Sequence, residues 1–128
     1  MRILLDTRAL LWWLLDDPHL SATARAAIGT GGNEVLASVA SAWEIATKVR
    51  IGKLPQAISL VDRLEDYLER SRIGVLDVRL SHALLAGRME EFHKDPFDRM
   101  IIAQGRIEAM PIVTADTIFQ AYGADTIW

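Results

Sequence analysis

The chain has 128 residues, no cysteine, and 14 Lys and Arg against 17 Asp and Glu, a formal charge of −3. One domain of this length builds a core without staples, and the lack of cysteine excludes both a disulfide framework and a thiolate metal site. The sign of the charge excludes nucleic-acid binding by bulk electrostatics, so any such contact must be local.

In chain order, RILL (2–5) reads as a buried strand and TRALLWWLLDD (7–17) as an apolar-rich helix, with Asp6 where the two meet. The run ALLWWLL is far shorter than a membrane span and has acids on both sides. The start lacks the basic region and cleavage site of a signal peptide, so a cytoplasmic protein with no membrane contact is expected. Ser21 opens an alanine-rich helix stopped by glycines, and EVLA (34–37) is a second strand. A helix follows from about Ser38 to Arg50, its apolar positions Val39, Ala42, Trp43, Ala46 and Val49 predicted to face the core.

Beyond Pro55, Ile58, Val61, Leu64, Tyr67 and Leu68 recur at helical spacing. GVLDV (74–78) is a third strand, SHALLAGRME (81–90) a helix, and DPFDRMIIAQGRIEA (95–109) another. PIVTA (111–115) is the fourth strand, TIFQAYG a helical turn, and DTIW an edge strand. Strands separated by helices predict an α/β fold with a central parallel sheet of four to five short strands, covered on both faces, over 1–128 as a single domain.

Four acids stand at related places in this order, and each has an ordinary explanation. Asp6 and Asp116 follow strands at helix starts, where carboxylates cap free N–H groups. Ser41-Ala-Trp-Glu44 has the form of a capping box, although a helix starting at Ser38 would put Glu44 in the second turn. Asp95-Pro-Phe-Asp98 reads as a cap, a proline at the first helical position and an acid in the first turn. A shared topology adds a second explanation, since acids following parallel strands emerge at one sheet edge. Four converging carboxylates repel one another unless a cation neutralises them. With oxygen ligands only and no paired-histidine spacing, that cation is expected to be Mg²⁺ or Mn²⁺.

The remaining polar and aromatic residues read more plainly. Lys48, Arg50 and Lys53 form a basic run that suits a solvated helix end before Gly52. His19, His82 and His93 are expected to be structural or solvated rather than general bases. Trp12, Trp13 and Trp43 are expected in the core, with Trp12 or Trp13 the alternative contact for a partner.

LLDTRALLWWL, SVASAWEIATKVRIGKL, DPFDRMIIAQ and VTADTIFQAYG, in this order and at these spacings, resemble the PIN-domain ribonucleases. More narrowly they resemble the VapC toxins of bacterial type II toxin–antitoxin pairs. The resemblance covers almost the whole chain and implies a PIN-like α/β/α sandwich. It implies that Asp6, Glu44 and Asp98 are the core acids, that Asp116 is the more variable fourth, and that Ser38, Ser41 and Thr114 are polar supports for them. Arg8 stands where this branch commonly has histidine and would either contact substrate phosphate or pair with one of the acids; Arg8, Lys48, Arg50 and Arg99 are the candidate cations for contacts to a phosphate backbone. A Mg²⁺- or Mn²⁺-dependent endoribonuclease is implied, acting on RNA, held inactive by a cognate antitoxin, and forming a homodimer. The alternative from another class is a non-catalytic binding module whose acidic pocket receives a basic side chain from a partner. A phosphohydrolase of small esters has little support, because no glycine loop that would cradle a phosphate is present.

Overall fold

A computed structural model describes residues 1–128. The strands are β1 (Arg2–Leu5), β2 (Glu34–Ser38), β3 (Gly74–Leu76), β4 (Ile112–Val113) and β5 (Thr126–Ile127). They form one parallel sheet in the order β3-β2-β1-β4-β5. The helices are α1 (Thr7–Leu14), α2 (Ala22–Gly29), α3 (Val39–Arg50), α4 (Ile58–Val61), α5 (Leu64–Arg70), α6 (Leu80–Arg88), α7 (Pro96–Ile107) and α8 (Ile118–Ala121).

Side chains of a strand alternate between faces, and here that alternation splits the core in two. Ile3, Leu5, Val35, Ala37 and Val113 pack with Leu10, Ala24, Ile45, Leu60 and Leu68 on one side of the sheet. Leu4, Leu36 and Ile112 pack with Ile101, Ile102, Phe119 and Tyr122 on the other. The result is the expected α/β/α sandwich, whose central strands β1 and β2 are buried beyond their first residues, Arg2 and Glu34. No helix is long and apolar enough to cross a membrane.

Two expectations about helix faces are corrected. The segment after Pro55 is not one helix: a 3₁₀ turn (Pro55–Ala57), α4 and α5 replace it, with a break at Asp62 and Arg63. The break resets the helical phase, so Ala57, Leu60 and Leu68 are buried while Ile58 is exposed.

In α3 the buried face carries Ala40, Ser41, Glu44 and Ile45. Val39 and Trp43 lie outside, Trp43 with 68% of its surface exposed. Small Ala40 and Ser41 let α3 approach the sheet closely and turn Glu44 inward, which a tryptophan on that face would prevent. Trp43 instead meets Phe97 edge-on, ring centroids 5.0 Å apart. Trp12 and Trp13 are partly buried against the core.

Candidate active site

β1 delivers Asp6 at its carboxyl end, and the chain turns there into α1. Asp6 is the N-cap: its Oδ1 accepts the Ala9 N–H at 2.7 Å. Its Oδ2 accepts the Thr114 hydroxyl at 2.6 Å, which joins the ends of β1 and β4. The capping explanation is therefore correct, and it leaves the carboxylate among other acids all the same. Burial pushes the Asp6 carboxyl up to about 6, against the pull of Thr114 and the Ala9 N–H, with the Asp98 charge adding to the rise.

Glu44 reaches the same place from α3. Ser38 is the N-cap, accepting the Ala40 N–H, so Glu44 sits in the second turn and forms no capping box. Ser41, one turn before Glu44, accepts the Thr7 hydroxyl at 2.9 Å and ties α3 to α1. Glu44 is 4% exposed. Its Oε2 receives Lys48 Nζ at 2.5 Å across one helical turn. Its Oε1 is buried and has no hydrogen-bond donor.

The third wall is the start of α7. Asp95 is the N-cap, its Oδ1 accepting the N–H groups of Phe97 and Asp98. This frees Asp98 from capping. Burial raises the Asp98 carboxyl, opposed by the hydrogen bond from His93 and reinforced by the charges of Asp95 and Glu44. Asp116 follows β4; its N–H donates to Thr114 Oγ1 and its Oδ1 accepts the Ile118 N–H. Thr114 thus braces two acids at once.

His93, expected to be structural or solvated, is drawn onto one of the acids. Its Nε2 lies 2.8 Å from Asp98 Oδ2. Donor atoms of His93, Asp98 and Asp116 all fall within 4.8 Å of one another. The only signal in the sequence was proximity, five residues before Asp98, and proximity across an irregular loop says nothing about direction. The other two histidines are as expected. His19 is exposed and pairs with Asp17, and His82 is fully buried, its Nδ1 accepting the Arg79 N–H.

Arg99, a candidate substrate contact, is engaged within the chain in this structure. Its guanidinium donates to the carbonyls of Ala86, Met89, Glu90 and His93 and to the Tyr122 hydroxyl. Its donors are spent holding the segment that ends at His93. Arg50 is exposed at the end of α3.

Asp6, Glu44, Asp95, Asp98 and Asp116 line one cleft of about 270 Å³ together with Arg8, Lys48 and Trp12. Arg8 stands over the Trp12 ring at 5.8 Å from its centroid. The donor set fits a hard divalent cation: carboxylates converge, two of them are held above their ordinary range, and the buried Glu44 Oε1 has no other partner. Such a cation would reverse the sign of the cleft and make it attractive to a phosphate.

A family model described as PIN domain matches residues 3–125. No curated protein matches the chain. Among solved structures, the chain is similar to one of VapBC2 from Rickettsia felis bound to a DNA fragment from their promoter. There the TM-score is 0.70 and the identity 15%, over 98% of this chain and 97% of that one. It is also similar to FitAcB from Neisseria gonorrhoeae, TM-score 0.67, 21% identity, 98% and 96% covered. A third is VapBC-1 from nontypeable Haemophilus influenzae, TM-score 0.62, 15% identity, 98% and 96% covered.

Proposed function

Because the chain belongs to the PIN domain family, whose members are generally nucleases, we propose that it is a metal-dependent endoribonuclease and the toxin of a type II toxin–antitoxin pair. Residues 1–128 are on this reading a single PIN domain. The observation that carries it is the convergence of Asp6, Glu44, Asp98 and Asp116, from the ends of β1 and β4, the second turn of α3 and the start of α7, on one cleft. The fold likeness to VapBC complexes supports the toxin assignment and a small antitoxin as partner.

Asp6, Glu44 and Asp98 would hold Mg²⁺ or Mn²⁺, with Asp116 beside them. The ion supplies a positive field for the phosphodiester and activation of the attacking water. The chain's own residues do the rest. Thr114 and the Ala9 N–H fix both oxygens of Asp6, and Ser41 fixes the approach of α3 that brings Glu44 inward. Asp95 takes over the capping of α7 and leaves Asp98 available. Arg8 and Lys48 are the cations that line the cleft and would meet the RNA backbone. Lys48 holds Glu44 Oε2 in this structure, and a cation on Glu44 would leave its ammonium for that task. The protein works as a homodimer in the cytoplasm.

Purified protein incubated with structured RNAs should cleave only when Mg²⁺ or Mn²⁺ is present. Glu44→Gln and Asp98→Asn should each lower the rate by about 10² or more, because the amide keeps the shape and loses the anionic ligand. Asp116→Asn should lose less. Undiminished metal-dependent cleavage by the Glu44 and Asp98 variants would overturn the assignment.

The Lys48 contact also bears on inhibition. It shows that the pocket accepts an ammonium group, so a cationic side chain of the antitoxin would neutralise the acids in the same way. The same observation serves the binding-module alternative, which the RNA assay separates: a pure binding module binds its partner and cuts nothing.

A further inference from the structure

His93 belongs to no helix or strand, yet its backbone is fixed by hydrogen bonds from both sides. Its N–H and that of Phe92 both donate to the hydroxyl of Tyr122, a residue 6% exposed. Arg99 Nη1 donates to the His93 carbonyl and to the same hydroxyl. A buried tyrosine and a fully engaged arginine thus fix both sides of the His93 backbone, and the imidazole projects onto Asp98. An unconstrained loop histidine would lose this geometry to rotamer freedom.

Two lone-pair atoms 2.8 Å apart, His93 Nε2 and Asp98 Oδ2, require a positive centre between or beside them. A proton serves that one pair. It leaves the Asp116 carboxylate, which offers an oxygen within 4.8 Å of both donor atoms. A divalent cation serves them together. We infer that His93 Nε2 is a metal ligand of this site, so that the cation is held by a mixed imidazole and carboxylate set and Mn²⁺ is bound in preference to Mg²⁺. The inference rests on the metal-binding reading above and goes beyond its all-oxygen ligand set. Imidazole is a poor ligand for Mg²⁺ and a better one for transition metals, so one nitrogen donor separates two ions that carboxylates alone treat alike. For His93 to ligate, the lone pair of Nε2 must be free and the ring neutral, with the proton on Nδ1.

The test is pulsed electron paramagnetic resonance of the Mn²⁺-loaded full chain, with and without ¹⁵N-histidine labelling. The spectrum should show coupling from a directly bound imidazole nitrogen that changes with the label. His19→Gln should keep that coupling and His93→Gln should lose it; His82 is fully buried away from solvent. Calorimetric titration with each metal alone should show Mn²⁺ affinity falling about tenfold or more in His93→Gln while Mg²⁺ affinity changes little. If Mn²⁺ binds to wild type without imidazole coupling, His93 is no ligand and the carboxylate site stands without it. If Mn²⁺ does not bind at all, this inference and the metal-dependent reading fall together. Should His93→Gln fail to fold, the wild-type and His19→Gln spectra still decide the matter.

Discussion

Asp6 shows how one residue serves structure and chemistry together. Its Oδ1 caps α1 and its Oδ2 holds Thr114, yet burial keeps its carboxyl at about 6. An acid raised in the folded state stabilises the fold below its unfolded value, near 3.8, and that contribution is lost as pH rises through about 6. Ionised Asp6 therefore weighs against the metal-free fold at neutral pH, by about 3 kcal/mol from this group. Asp6→Asn keeps the cap, and its amide N–H can donate to Thr114 Oγ1. In chelator at pH 7.5 the variant should melt at or above the wild-type temperature, and between pH 4 and pH 7 it should lack the wild type's loss of stability. Adding Mg²⁺ should raise the melting temperature of wild type and shift the variant much less, since a ligand of the folded state alone stabilises by mass action. Melts of both proteins across pH, with and without Mg²⁺, check each part. A lower melting temperature for Asp6→Asn in chelator together with equal magnesium shifts would make Asp6 a cap and nothing more.

Elements carry the next set of consequences, because the acids converge only if α3 and α7 lie close to the sheet. Gly105 is the contact that lets α7 do so: a Cβ there would stand 2.7 Å from Ile112 Cδ1 and 3.2 Å from the Met110 carbonyl. Gly105→Ala should therefore destabilise by about 1–3 kcal/mol, despite alanine's better helix propensity, because the helix must move off β4. Denaturant titration measures this, and a stabilised variant would show that the helix has slack. Arg99 joins α6 to α7 by donating to carbonyls at and beyond the end of α6. Arg99→Ala leaves those carbonyls without a donor, for a loss of roughly 2–4 kcal/mol, and Arg99→Lys should recover little of it, since an ammonium cannot span the same set. Equal stability of the lysine variant would contradict the strut.

At the scale of the whole molecule, net charge and the charge of the cleft point the same way, so cations at the cleft mouth decide what enters. Lys48 is the informative one, since it neutralises Glu44 from within the chain. Lys48→Met should bind Mg²⁺ more tightly, having removed a competing cation, while binding RNA less well. Calorimetry with the metal and a separate measurement of KM test the two halves, and weaker metal binding by the variant would refute the competition. An antitoxin that inserts a cationic side chain should likewise stay bound in chelator, since it replaces the metal's charge. Release of the partner by chelation, followed by size-exclusion chromatography of the complex, would count against that mode of inhibition.

What the residues determined alone was the alternation of elements and the position of each acid along it. RILL, EVLA and IV are apolar runs that read as buried strands, GVL reads as a strand and takes the exposed sheet edge, and Ser21, Ser38 and Asp95 cap the helices that their spacing predicts. These are local matters of period and capping, written in neighbouring residues. Tertiary structure decided what no local pattern encodes. It turned Glu44 inward and Trp43 outward on a helix whose two faces both carry apolar residues, burying the face with the small residues Ala40 and Ser41. It engaged Arg99 with carbonyls beyond the end of α6, and through Tyr122 it brought His93 onto Asp98. Those outcomes depend on which elements meet across the sheet, and the contacts that settle them join residues far apart in the chain.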